Sequence, residues 1–301
     1  MGNMQAKAAP VNIHLSWGTL EGLHWSRPGA PKALCLHGWL DNAASFVPLA
    51  PFLTDFDLLA LDFAGHGFSS HRPETSRYYY ADYLYDVDQA LDVLGWDNCH
   101  FIGHSMGGGI ASCVAAALPE RVNRLVMLDA VGILSLPSDQ AARQLRMSMK
   151  SARKSRSNLR PYESVEQAML ARQKDSALSD AAARLLCERS LEHTGDFYQW
   201  RTDPRLNWRS PQLMTDEQVL CLLAAVLSPT LVITSPAVME YLGAEKMQKR
   251  LSAIKDCRHA AADGHHHFHM DQPRRTGAQI KEFLLQPDQN PDAETKFEPA
   301  S

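Results

Sequence analysis

The run Cys99-His100-Phe101-Ile102-Gly103-His104-Ser105-Met106-Gly107 decides how this chain folds. Cys99 to His104 is a short buried-strand candidate, and Gly107 to Leu118 is small, apolar and closed by Pro119, as a helix packed against a sheet would be. Between them, Gly103-His104-Ser105-Met106-Gly107 has the pattern Gly-x-Ser-x-Gly. A sharp strand-to-helix turn forces a strained backbone on the serine, and only small neighbours leave room for it. The hydroxyl is then held clear of the sheet at a helix N-terminus, where the local dipole favours a developing anion. Without its flanks the pentapeptide is an ordinary glycine-rich connector; with them Ser105 becomes a candidate nucleophile.

The same alternation recurs on either side. Ala33 to Leu36 ends at His37-Gly38, Leu58 to Phe63 ends at Ala64-Gly65-His66-Gly67, Arg124 to Asp129 ends near Gly132, and Thr230 to Thr234 follows Pro229. Apolar runs without polar alternation suit strands covered on both faces, hence a mostly parallel sheet. Tyr83 to Leu94 sets Leu84, Val87, Leu91 and Leu94 on one helical stripe. Thr215-Asp216-Glu217-Gln218 reads as a capping box before the apolar run from Val219. Together these segments predict an α/β fold with a doubly wound, mostly parallel sheet. Val11 to Trp25 alternates weakly and suggests an antiparallel edge hairpin. Ile133 to Met214 breaks the pattern: it is helix-prone, polar, rich in Arg and Ser, and no strand is read in it. The expected organisation is a core of residues 1–132 and 215–285, an inserted helical cap of 133–214, and a disordered tail of 286–301 with little to bury.

Composition narrows the function classes. The chain has 301 residues, 45% hydrophobic and 21% charged, enough for one large domain with an insertion. A net charge of −4 provides no dominant positive field, so no nucleic-acid partner is expected. The 6 cysteines are scattered without metal-ligand spacing, which predicts buried thiols in a reducing compartment. The first residues lack the apolar stretch of a secretory signal, and Ala6 stands where N-myristoylation wants Ser or Thr. The longest apolar run, Val219 to Ile233, is broken by Ser228 and Pro229 and is too short to span a bilayer. A cytoplasmic protein without a transmembrane segment is expected; oligomeric state is not readable.

Chemistry at an acyl carbon needs two N–H donors aimed at the developing oxyanion. Met106, directly after the serine, is one candidate; Trp39, in Leu36-His37-Gly38-Trp39 after an earlier strand, is the other. At this point the sequence resembles the α/β-hydrolase family. The resemblance is carried by His37-Gly38-Trp39, by Asp62-Phe63-Ala64-Gly65-His66-Gly67-Phe68-Ser69, by Gly103-His104-Ser105-Met106-Gly107-Gly108, and by Gly264-His265-His266-His267-Phe268-His269-Met270-Asp271-Gln272-Pro273. Leu40-Asp41-Asn42-Ala43-Ala44-Ser45-Phe46 and Arg201-Thr202-Asp203-Pro204-Arg205-Leu206 are similar to the serine hydrolase-like branch. The family pattern places its catalytic histidine seven residues before a proline, which from Pro273 gives His266 among its neighbours His265, His267 and His269. No acidic or Cys ligand motif accompanies these histidines in sequence, so a metal site is not expected. Members commonly carry Gly-x-x-Asp after the strand that follows Pro229, but Ser235-Pro236-Ala237-Val238 holds no carboxylate. Asp129 is the first candidate for the acid, because some relatives place it there and the order Ser, Asp, His is kept. Glu240 is the second, and a site without a functional acid is the third.

The resemblance implies a serine hydrolase that cleaves an ester, thioester or similar acyl bond of a small, largely apolar substrate through an acyl-enzyme, with no cofactor. The serine argues against the dehalogenase and epoxide-hydrolase relatives, which carry Asp at that position. The missing carboxylate keeps open a small-ligand-binding protein on the same scaffold. Asp62 reads as a turn-satisfying side chain. The basic run Arg143, Arg146, Lys150, Arg153, Lys154, Arg156 and Arg160 reads as a solvated face, with attraction of acidic substrates or a phospholipid surface as the alternative.

Overall fold

Strand residues alternate between the two faces of one sheet, and each face has its own apolar cluster. Leu34, Leu59, Phe101, Leu125 and Val232 point to one side; Ala33, Leu58, Ile102, Val126 and Ile233 point to the other. The computed structural model describes residues 8–154, 161–174 and 176–287. Its strands are β1 (Ala9–Leu15), β2 (Gly18–Trp25), β3 (Lys32–Leu36), β4 (Asp57–Leu61), β5 (Cys99–His104), β6 (Val122–Leu128), β7 (Leu191–Thr194), β8 (Phe197–Trp200), β9 (Thr230–Thr234) and β10 (Cys257–Ala261). The main sheet has 8 strands in the order β1-β2-β4-β3-β5-β6-β9-β10. The first two pairings are antiparallel and every later one is parallel. The hairpin expected over Val11 to Trp25 is β1–β2, at the sheet edge.

Helices cover both faces. On one side lie α1 (Tyr80–Leu94), α2 (Met106–Ala117) and, later in the chain, α6 (Asp216–Ala225) and α8 (Ala244–Ala253), through Val87, Ile110, Val219 and Leu251 among others. On the other lie α9 (Phe268–Asp271) and α10 (Pro273–Leu284), through Phe268, Ile280 and Phe283. This is the doubly wound arrangement, with β3, β5, β6 and β9 buried almost end to end. The capping box before α6 is formed, with Thr215 accepting from Gln218 N. No apolar run announced β10. It is a largely exposed edge strand, Cys257-Arg258-His259-Ala260-Ala261, held by parallel pairing to β9.

Residues 133–214 carry α3 (Ala141–Lys154), α4 (Val165–Lys174) and α5 (Asp180–Ser190). The expectation that this segment holds no strand is corrected: β7 and β8 pair antiparallel across a turn in which Gly195 has φ 70°. Each is only 4 residues long, β7 mostly exposed and β8 mostly half-buried, so neither leaves an apolar run to read. Ala168, Met169, Ala182, Leu186 and Leu191 form a separate small core, joined by Met270 from α9. Arg143, Arg146, Lys150 and Arg153 are exposed on α3; the side chains of Lys154, Arg156 and Arg160 lie outside the described residues. So do residues 288–301 of the expected tail. Among the described residues no helix is long and apolar enough to cross a membrane.

The carboxyl ends of the parallel strands are lined with fully buried histidines: His37 after β3, His66 after β4, His104 closing β5, and His269 on α9. Burial pulls His37 and His104 down to about 4, His66 down to about 3, and His269 well below its ordinary value. These imidazoles are neutral when folded, whereas unfolded chains protonate them near 6.5. Their contribution to stability is therefore complete above about pH 6.5 and is lost as pH falls towards 4. We expect the urea midpoint to be flat from about pH 7 to 8 and to fall steadily from about pH 6.5 to 4. A constant midpoint over the lower range would contradict this account.

Candidate active site

Ser105 leaves β5 with φ 51° and ψ −116°, a conformation that costs a non-glycine residue on the order of 1–3 kcal/mol. Its neighbours over-determine it. Ser105 N donates to Leu128 O at 2.9 Å, and Gly109 N donates to Ser105 O at 3.1 Å. A Cβ on Gly103 would stand 2.4 Å from Gly107 O, and one on Gly107 would stand 2.0 Å from Leu36 O. The two glycines thus let the start of α2 press against the end of β3. Met106 opens α2, where first-turn N–H groups have no intrahelical acceptor. Trp39 lies in the turn closed by Asp41 N donating to Gly38 O at 3.1 Å, and its side chain is 48% exposed.

His266 comes from the loop between β10 and α9. The Ser105 hydroxyl donates to its Nε2 at 2.9 Å, and its Nδ1–H donates to Asp129 Oδ2 at 2.6 Å. Asp129, directly after β6, is fully buried with φ 51°. Its Oδ1 accepts from Ser235 N at 2.6 Å, and its own N donates to Ile233 O at 2.8 Å. The structure therefore brings together Ser105, His266 and Asp129. Glu240 is exposed on α7 (Pro236–Leu242), apart from this set. A hydroxyl, an imidazole and a buried carboxylate in line provide a nucleophile, a proton acceptor and a group that fixes the imidazole tautomer.

A second polar cluster lies behind the first. His104 Nε2–H donates to the backbone oxygen of His266 at 2.9 Å, and its Nδ1 faces Asp41 Oδ2 at 3.5 Å. His267 Nε2–H donates to Asp41 at 3.1 Å, and Arg172 from α4 pairs with the other carboxylate oxygen at 2.5 Å. Burial alone would raise the Asp41 carboxyl; His267 and Arg172 outweigh it and hold it well below the usual carboxylate range. One oxygen of Asp41 and one nitrogen each of His104 and His267 lie within 4.8 Å of one another, a spacing a metal ion would accept. So an acid does accompany the histidine run, from far along the chain. Arg172 already balances its charge, however, and a divalent cation would add two uncompensated charges to a buried site.

Sequence reading gave Asp41 and Arg172 no role. They are 131 residues apart, and no local pattern links them. Asp62 does satisfy its turn, accepting from Ala43 N at 2.7 Å and Phe68 N at 2.9 Å, but it also binds Arg189 of α5 at 2.9 Å.

A family model described as alpha/beta hydrolase fold matches residues 34–273. A serine hydrolase-like protein of Dictyostelium discoideum is 34% identical over 97% of this chain and 84% of its own length. Another, from Danio rerio, is 29% identical over 96% of this chain and 91% of its own. The crystal structure of a hypothetical protein from Pseudomonas aeruginosa PAO1 superposes with a TM-score of 0.85 at 33% identity, covering 92% of this chain and 99% of that one. The thioesterase domain from the curacin biosynthetic pathway reaches 0.78 at 21% identity, covering 91% of this chain and 98% of its own, a likeness of fold. On the strand order, the elbow at Ser105 and a match spanning most of its length, the chain belongs to the α/β-hydrolase fold family.

Proposed function

We propose that this protein is a serine hydrolase that cleaves an ester, thioester or similar acyl bond of a small, largely apolar substrate through an acyl-enzyme. The family relationship supports hydrolysis in general. The observation that carries the finer reading is the unbroken hydrogen-bonded line from Asp129 through His266 to Ser105.

In this mechanism Ser105 Oγ attacks the acyl carbon while His266 Nε2 takes its proton. The substrate oxygen becomes an anion held by the backbone N–H groups of Met106 and Trp39. His266 then returns the proton to the leaving group, and the acyl group stays on Ser105. Water attacks next, giving its proton to His266, and release of the acid restores the hydroxyl. Asp129 keeps Nδ1 protonated and stabilises the imidazolium. Exposed Trp39, Leu134, Met239 and Tyr241 all follow the carboxyl ends of β3, β6 and β9, the sheet end that carries Ser105, and favour an apolar acyl group. Residues 133–214 act as the cap in this reading. Cys35, Cys99, Cys113 and Cys187 are free and buried, which supports a reducing compartment such as the cytoplasm. The binding-only alternative draws on the empty stretch Ser235–Val238; Asp129 on His266 supports the catalytic reading over it.

A fluorophosphonate probe is expected to label the wild-type protein at Ser105, and Ser105→Ala is expected to abolish both the adduct and p-nitrophenyl acetate turnover with folding intact. A wild-type protein that forms no adduct would defeat the proposal. Asp129→Asn should lower kcat by about 10³- to 10⁴-fold, while Glu240→Gln should match wild type. Loss in Glu240→Gln with Asp129→Asn unaffected would reassign the acid.

A further inference from the structure

We infer that Arg172, on α4 of the cap, is a positioning residue for His266, acting through buried Asp41. The inference rests on the reading of Ser105 and His266 given above. Asp41 is 2% exposed and sits where three elements meet: the turn after β3, the elbow and the loop that bears the base. Arg172 binds its Oδ1 at 2.5 Å. His267, the residue after the base, donates to Oδ2 at 3.1 Å. His104, the residue before the nucleophile, lies 3.5 Å from the same oxygen. One imidazole ring, His104, is therefore joined covalently to the nucleophile and by a 2.9 Å hydrogen bond to the backbone of the base.

This arrangement makes the ion pair more than an anchor. Without Arg172, Asp41 is a buried carboxylate that keeps His267 but has lost its fully charged partner, a costly state. It must turn, take up a proton, or draw one onto His267 or His104. Every one of those responses shifts a ring tied directly to His266. Two further contacts run the same way. Ser179 in the cap donates to Asp271 at 2.5 Å, and Met270 is packed inside the cap's own core. Seating the cap and seating the base are consequently one event, so that Ser105 has an aligned proton acceptor only beneath a docked cap.

The test uses the full-length protein with Arg172→Ala, Arg172→Lys, Asp41→Asn, the Arg172→Ala/Asp41→Asn double variant, and Arg184→Ala as control. Arg184 is a cap arginine whose partner, Glu166, is exposed. Arg172→Ala should lower kcat for p-nitrophenyl acetate about ten- to a hundredfold, because small misplacements of a reacting group have effects of that size. KM should change by less than about threefold. Arg172→Lys should recover most of the loss, Arg184→Ala should match wild type, and the double variant should be no worse than the poorer single one. Backbone amide exchange over residues 264–270 should accelerate in Arg172→Ala, with β5 and β6 unchanged. Wild-type kcat together with wild-type exchange in Arg172→Ala would overturn the inference, as would equal losses in Arg172→Ala and Arg184→Ala. If Asp41→Asn does not fold, the Arg172 pair still decides. If the wild-type protein turns over no ester, the serine hydrolase reading fails, and the exchange experiment still judges the coupling by itself.

Discussion

A methyl group on Gly107 would stand 2.0 Å from the carbonyl oxygen of Leu36, and the functional end of this protein is organised by that lack of room. Because α2 starts hard against β3, the chain must reverse within a single residue, and that residue is Ser105 at φ 51°. The strain persists because both neighbours of the turn are tied down: Leu128 O accepts from Ser105 N, and Ser105 O accepts from Gly109 N. The same close approach sets the first N–H groups of α2 beside the turn after β3, so candidate nucleophile and candidate oxyanion donors are fixed by one packing contact. The two apolar clusters on either face of the sheet keep that contact from relaxing.

The position of the acid follows from the pairing of β6 with β9. Neighbouring parallel strands lie about 4.8 Å apart, so an acid at the carboxyl end of either can reach the same imidazole. Here the carboxylate beside His266 is Asp129, after β6, and Ser235–Val238 after β9 holds none. The stretch after β9 still takes part, since Ser235 N donates to Asp129 Oδ1 and orients the other oxygen towards His266. Asp129 also needs φ 51° to turn its side chain back towards the sheet end. A residue that keeps an unfavourable backbone while fully buried is held there by its hydrogen bonds.

What the sequence reveals depends on how local the physics is. The elbow is legible because strand, glycines and helix are contiguous, and the buried strands because covered faces demand unbroken apolar runs. β10 escapes notice because an exposed edge strand needs only backbone pairing, and β7 and β8 because four residues around Gly195 carry no period worth reading. The contact between Asp129 and His266 spans 137 residues, and the tie between Asp41 and His267 spans 226. No pattern encodes such distances; they are set by which strands pair.

The inserted segment meets the core through ion pairs as well as through apolar packing, such as Met270 against Met169 and Leu186. Arg189 pairs with Asp62 and Arg172 with Asp41, while Arg205, itself paired to Asp203 within the segment, donates to the carbonyls of Arg72, Pro73 and Ser76. Such pairs add little net stability, because desolvation offsets most of their attraction. Their value is angular. Guanidinium and carboxylate planes meet in few ways, so a helix docked by them has one seat where an apolar contact would allow several. Asp41 and Asp62 stand on the loops after β3 and β4, so these two pairs join the inserted segment to the sheet end that carries Ser105. In the proposed reading, a segment closing over an acyl-transfer site gains from that combination: it is held in register without being held so tightly that product is trapped.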